Sequence, residues 1–113
     1  MLDGISSRLE SYMDVLSARQ KLVARNIANA DTPGYKTQDV DFEAELQRAT
    51  GGSGAPTIIE ARGLVTKNDG NNVSLDREAR MLSENDMRFN IASQLVRGQI
   101  RHLRSAINEG KNQ

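Results

Sequence analysis

Asn26-Ile27-Ala28-Asn29-Ala30-Asp31-Thr32-Pro33-Gly34-Tyr35-Lys36 is the stretch on which the reading of the chain turns. Pro33 cannot continue a helix, and it drives Thr32 out of the helical region. Pro-Gly suits the central pair of a type II turn, since Pro fixes φ and Gly accepts a positive one. The stretch therefore closes a helix, predicted over residues 1–31, with a chemically specified stop. Thr-Pro-Gly alone is an ordinary helix terminator. Asn26 and Asn29 before it and Tyr35-Lys36 after it make it a motif.

Upstream of that stop, Leu2, Leu9, Leu16, Val23 and Ala30 recur at strict seven-residue spacing. Leu75, Leu82, Phe89, Val96 and Leu103 do the same near the other end, on a second helix predicted over 74–110. A seven-residue repeat, unlike a 3.6-residue drift, marks helices that wind around a partner. The predicted architecture is all-α: long N- and C-terminal helices packed as a coiled coil, joined by a mostly irregular segment, 32–73. Ser74 reads as the N-cap of the second helix and Gly110 as its C-cap. Arg19, Asn26, Asn85 and Asp86 interrupt the complementary offsets. Val15 and Leu22 form an apolar row beside the first seam, and Met87, Ile91 and Leu95 one beside the second. Both rows are expected to stay exposed in a lone subunit and to meet neighbouring subunits.

Between the helices, residues 41–49 read as a short helix capped by Asp39 or Asp41, burying Phe42 and Leu46. Thr50-Gly51-Gly52-Ser53-Gly54-Ala55-Pro56 has linker composition. Short extended pieces around 57–60 and 63–66 are expected to pair with each other. Asn68-Asp69-Gly70-Asn71-Asn72 reads as a turn, Asp-Gly being a common hairpin signal.

Composition excludes several classes of function. Fifteen basic and fifteen acidic residues balance, so nothing favours nucleic acid or an anionic membrane surface. Cysteine is absent, which removes disulfides and thiolate metal sites. The first residues have neither the basic nor the apolar region of a secretory signal peptide, and no apolar run reaches membrane-spanning length. Gly51-Gly52-Ser53-Gly54 lacks the Lys of a phosphate loop. Asp39, Asp41, Glu43 and Glu45 lack the spacing of a calcium loop and read as a solvated helix start. His102 is the one histidine, with no compact acidic partner in sequence, so no catalytic triad or metal set is arguable. The expectation is a non-enzyme with no cofactor, no small-molecule substrate and no nucleic-acid partner.

The run 26–36 resembles the signature of bacterial flagellar axial proteins, the rod and hook subunits of the basal body. Asp39-Val40-Asp41-Phe42 is similar to its continuation in proximal rod subunits, and Asp69-Gly70-Asn71-Asn72-Val73 to their second half. The resemblance covers both ends and thins over 43–66. It implies a structural subunit that assembles helically and transmits torque from the membrane ring to the distal rod and hook. It also implies export through the flagellar type III apparatus to the periplasm without a cleaved signal peptide. The implied partners are copies of itself, other flagellar rod proteins, and the ring-to-rod adaptor with its membrane ring. The alternatives are another rod subunit, the C-type proximal rod protein, or a cytosolic coiled-coil adaptor or regulator.

Overall fold

The computed structural model describes residues 2–48 and 56–111, except the side chains of residues 2, 3, 46 and 47. The seam position at Leu2, the burial expected for Leu46 and the linker reading of 50–55 therefore lie outside the described residues. Five elements follow one another: α1 (Leu2–Ala28), β1 (Gln38–Val40), α2 (Phe42–Arg48), β2 (Ile58–Glu60) and α3 (Leu75–Lys111). The chain is mostly helical, and its two long helices lie against each other. Hydrogen bonds from Asn26 to Glu78, from Asn85 to the Leu16 carbonyl and from Ser6 to Gln99 make the pair antiparallel. Extents of 72 × 25 × 18 Å and a radius of gyration of 18.6 Å describe a rod. A compact chain of this length has a radius of about 13 Å.

The caps that set these helices are local. Ser74 Oγ accepts from Arg77 N at 3.3 Å, so α3 starts where its N-cap residue stands. Asp41, not Asp39, caps α2, accepting from Ala44 N at 3.2 Å. Gly110 is not a C-cap, because α3 runs through it to Lys111 and it lacks the positive φ of a capping glycine.

Three expectations about packing need correction. The first concerns the middle segment, which is ordered around an antiparallel two-stranded sheet. Gln38 faces Glu60, Asp39 faces Ile59 and Val40 faces Ile58, so the 58–60 strand pairs with 38–40 and not with 63–66. Gly63 at φ 77° breaks the extended run that the other pairing needs.

The second correction concerns Val15 and Leu22. They are 8% and 4% exposed, covered by the chain's own Val40 and the adjacent Phe42 and Ala18 rather than left for a neighbour. Each lies about 100° around α1 from Leu16 or Val23. One helix thus buries two faces, Leu16 (0% exposed) and Val23 (3%) on one and Val15 and Leu22 on the other.

The third concerns the deepest line of α3, which is Glu78 (0%), Asn85 (1%) and Ala92 (1%), not the leucine line. Leu82, Phe89 and Val96 are half-buried beside it, and Leu75 and Leu103 are exposed at the ends. Ala92, the smallest apolar member, allows the closest approach to α1, and the larger side chains are displaced to the flank. Met87, Ile91 and Leu95 are exposed at 58%, 52% and 54%, and His102 is exposed too.

Candidate functional site: a polar hub at the turn end of the hairpin

The motif residues and those they meet converge where α1 ends and α3 begins. The Thr32–Tyr35 turn closes with Tyr35 N donating to Thr32 O at 3.2 Å, and Gly34 has φ 78°. This is the type II geometry that Pro-Gly specifies. Asn29 Nδ2 donates back to the Arg25 carbonyl at 2.9 Å, and Thr32 Oγ1 donates to Asn29 Oδ1 at 3.1 Å. Pro33 and Thr32 are themselves exposed, so they shape the chain path rather than fill a core.

The turn is docked on the loop that precedes α3. Asn71, fully buried, donates through Nδ2 to the carbonyls of Asn29 (2.9 Å) and Thr32 (2.8 Å). A helix end leaves carbonyls without partners, and this side chain supplies two donors from 42 and 39 residues away. Gly34 N donates to Asp69 O at 2.9 Å, and Asn72 N to Tyr35 O at 3.2 Å. Asn72 Oδ1 accepts from Thr37 N, and Lys36 Nζ donates to Gly70 O at 2.7 Å. Gly70, at φ 87°, stands so close to Gly34 that a Cβ on it would lie 3.3 Å from the Gly34 Cα. Asp69-Gly70 is therefore a docking turn and not a strand hairpin.

Asn26 ties this end to both helices and to the sheet. It is fully buried and uses its whole amide. Nδ2 donates to Gln38 O (2.9 Å) and Glu78 Oε2 (3.2 Å). Oδ1 accepts from Tyr35 Oη (2.8 Å) and Gln38 N (3.1 Å). The side chain thus pairs with Gln38 as a strand backbone would, and so covers one edge of the sheet. Burial pushes the Tyr35 phenol above its ordinary range; the Arg25 charge works against this and the Glu78 carboxylate adds to it.

An ion network completes the hub. Asp39 is held by Arg19 in a fork (Nε and Nη2, both 3.1 Å) and by Arg77 Nη2 at 2.7 Å. Arg77 Nη1 also donates to Glu78 Oε1 at 2.7 Å. Two cations and two anions cancel in the interior, which is the condition for burying them. Arg19 also lies 4.5 Å from the Phe42 ring centroid.

Asn26, Asn29, Thr32, Pro33, Gly34 and Tyr35 are brought together here. The seam residues Leu9, Leu16 and Val23 on α1, and Leu82, Phe89 and Val96 on α3, run away from the hub along the hairpin. Val15 and Leu22 lie under the sheet instead, and Met87, Ile91 and Leu95 face outward. Sequence reasoning missed Arg19, Asp39, Arg77, Glu78, Asn71, Asn72 and Thr37 as partners. One signal was available: Arg19 and Asn26 stand seven residues apart, as do Glu78 and Asn85, so the polar residues obey the seam's own spacing. Asp39, read as a solvated carboxylate, is the centre of the network. Among the described residues no group of three His, Asp or Glu is placed to hold a metal.

The geometry defines a rod-shaped helical hairpin whose turn motif ties the end of α1 to the start of α3. A sequence model of the family described as flagella basal body rod protein matches residues 13–36, the second half of α1 together with the turn. The flagellar basal body rod protein FlgB of Borrelia hermsii is 35% identical, over 83% of this chain and 86% of its own length. The FlgB proteins of Escherichia coli K12 and Salmonella typhimurium LT2 are each 28% identical, over 97% of this chain and 99% of theirs. The chain belongs to the FlgB family of flagellar basal body rod proteins.

Proposed function

We infer that this chain is a structural subunit of the proximal rod of the flagellar basal body and performs no catalysis. The observation that carries the reading is the joining of two motif blocks 33 residues or more apart, 26–36 and 69–73, into one hub. A hub of that kind rigidifies the hairpin against bending at its turn, which a part loaded in torsion needs. The related FlgB chains point the same way.

In this reading, subunits pack helically with copies of themselves and with other rod proteins, starting from the ring-to-rod adaptor at the membrane ring. They carry torque outward through the periplasm after type III export of the intact chain. The half-buried line Leu82, Phe89 and Val96 then finishes its burial against neighbouring helices, as a coiled coil formed between subunits. Met87, Ile91 and Leu95 offer a second contact row.

The test is complementation of a strain lacking the gene. Leu16→Asp and Phe89→Asp each place a carboxylate at a helix contact, at a cost of several kcal/mol. Both variants are expected to be exported but not incorporated, leaving cells without filaments. Normal filaments with both would overturn the seam assignment. Intact filaments in the deletion strain itself would overturn the rod reading.

A further inference from the structure

One side of the hairpin is occupied by the sheet. Leu9, Leu16 and Val23 form the line of α1 that faces α3, and Glu78, Asn85, Ala92 and Gln99 form the line of α3 that faces α1. The residue just before each line turns to the sheet: Val15 and Leu22 pack with Val40, and Arg77 reaches Asp39. Successive helical residues turn by about 100°, so residues one, four and five places after the line point to the opposite, sheet-free side. Its centre is apolar, with Leu9, Met13, Phe89 and Val96 half-buried and Ile100 and Leu103 each 45% exposed. Its edges are charged and exposed, carrying Glu10, Asp14 and Lys21 on α1 and Asp86, Arg97 and Arg104 on α3. Asp76 and Lys111 extend the α3 edge at its two ends. Arg25, Arg80 and Arg101 lie two places after the lines, on the backs of the helices and outside both edges.

The charges on the two edges run in opposite order. Away from the hub the α1 edge is acidic (Glu10, Asp14) and the α3 edge basic (Arg97, Arg104); nearer the hub α1 carries Lys21 and α3 carries Asp86 and Asp76. The hydrogen bonds of Ser6 with Gln99 and of Asn85 with Gln20 set the levels, placing Glu10 within one helical turn of Arg97 and Lys21 within one of Asp86. The apolar strip keeps these opposite charges apart within one chain, and none of the four has an ion pair among the described residues. We propose that a second copy of this chain lies on the sheet-free side, parallel to the first. Turned by half a revolution about its length, it sets its α3 on the first copy's α1. Glu10 of each copy then meets Arg97 of the other, Lys21 meets Asp86, and Leu9, Met13, Phe89, Val96 and Leu103 close into a four-helix core. The contact is isologous, so each pair occurs twice. The proposal rests on the rod-subunit reading, which requires neighbours to point the same way. Antiparallel copies would set α1 on α1 instead and keep Glu10 away from Arg97.

Sedimentation equilibrium of the purified chain at low salt reads the pairing, with circular dichroism as the check on helix content. Glu10→Arg and Arg97→Glu each turn two attractions per pair into two repulsions, and each is expected to weaken association about tenfold. Combined in one chain they restore opposite charges across the contact, and association is expected to return to within about threefold of the unaltered chain. High salt should erase most of the difference among the four proteins. Losses that simply add in the double variant would overturn the parallel pairing, because only that arrangement makes Glu10 and Arg97 partners between copies. A chain that stays monomeric at every concentration would overturn it altogether. Either result leaves the rod reading intact, since that depends on the deletion phenotype.

Discussion

Replacing Asn26 with Asp changes one atom in the hub and tests whether its amide works as the geometry indicates. Oδ1 and its two donors, Tyr35 Oη and Gln38 N, are preserved. The second oxygen takes the place of Nδ2, 3.2 Å from Glu78 Oε2, where a donor had been. Two carboxylates at that separation repel by about 5 kcal/mol at an effective dielectric constant of about 20. Arg77 offsets part of this, while Gln38 O loses its donor and adds about 1–3 kcal/mol. The expected loss at pH 7 is about 4–6 kcal/mol, comparable with the whole stability of a small domain. Its pH dependence is diagnostic. The pair can share a proton, which raises one folded-state carboxyl pKa above its unfolded value, about 4. The penalty is therefore absent below that value and grows as pH rises through the folded one, so the variant should regain stability between pH 7 and pH 4. Adding Glu78→Gln to the Asn26→Asp chain gives the introduced carboxylate a donor and should recover about half the loss, Gln38 O remaining unpaired. The assay is urea unfolding followed by circular dichroism at several pH values. Equal destabilisation at pH 4.5 and pH 7, with no rescue by Glu78→Gln, would refute the Asn26–Glu78 contact.

Gly70→Ala should cost about 1–3 kcal/mol, since it combines a positive φ with a Cβ 3.3 Å from Gly34; Gly34→Ala meets no atom within 4 Å and should cost less, as thermal melts would show. Tyr35 has a raised pKa, so the stability its phenol contributes is present below pH about 10 and lost as pH rises through the folded value; alkaline unfolding should lose that phase in Tyr35→Phe. Asn85 donates to the Leu16 carbonyl and to Gln20 Oε1, but its own buried Oδ1 has no partner among the described residues, so Asn85→Leu should raise the melting temperature of the subunit, measured by circular dichroism.

By itself the sequence determined what depends on neighbours along the chain. Pro33 and Gly34 specify a type II turn through their own φ preferences, Ser74 caps the helix that follows it, the cap of the short helix is narrowed to Asp39 or Asp41, and the seven-residue repeats announce two long helices that must find partners. These are effects of bond geometry and of side chains reaching one turn of backbone. Only the tertiary structure decided which face of each helix goes deepest. Glu78, Asn85 and Ala92 won over Leu82, Phe89 and Val96 because Ala92 is small and Glu78 and Asn85 each find a hydrogen-bond partner on α1, in Asn26 and in the Leu16 carbonyl. Only the tertiary structure could pair 58–60 with 38–40, place Val40 over Val15 and Leu22, and show Asp39 held between Arg19 and Arg77. Each of those contacts joins residues far apart in the chain, and their stability comes from exclusion of water once α1, β1 and α3 have met. No local preference of Asp39 or Asn71 distinguishes a solvated turn residue from the centre of a buried network.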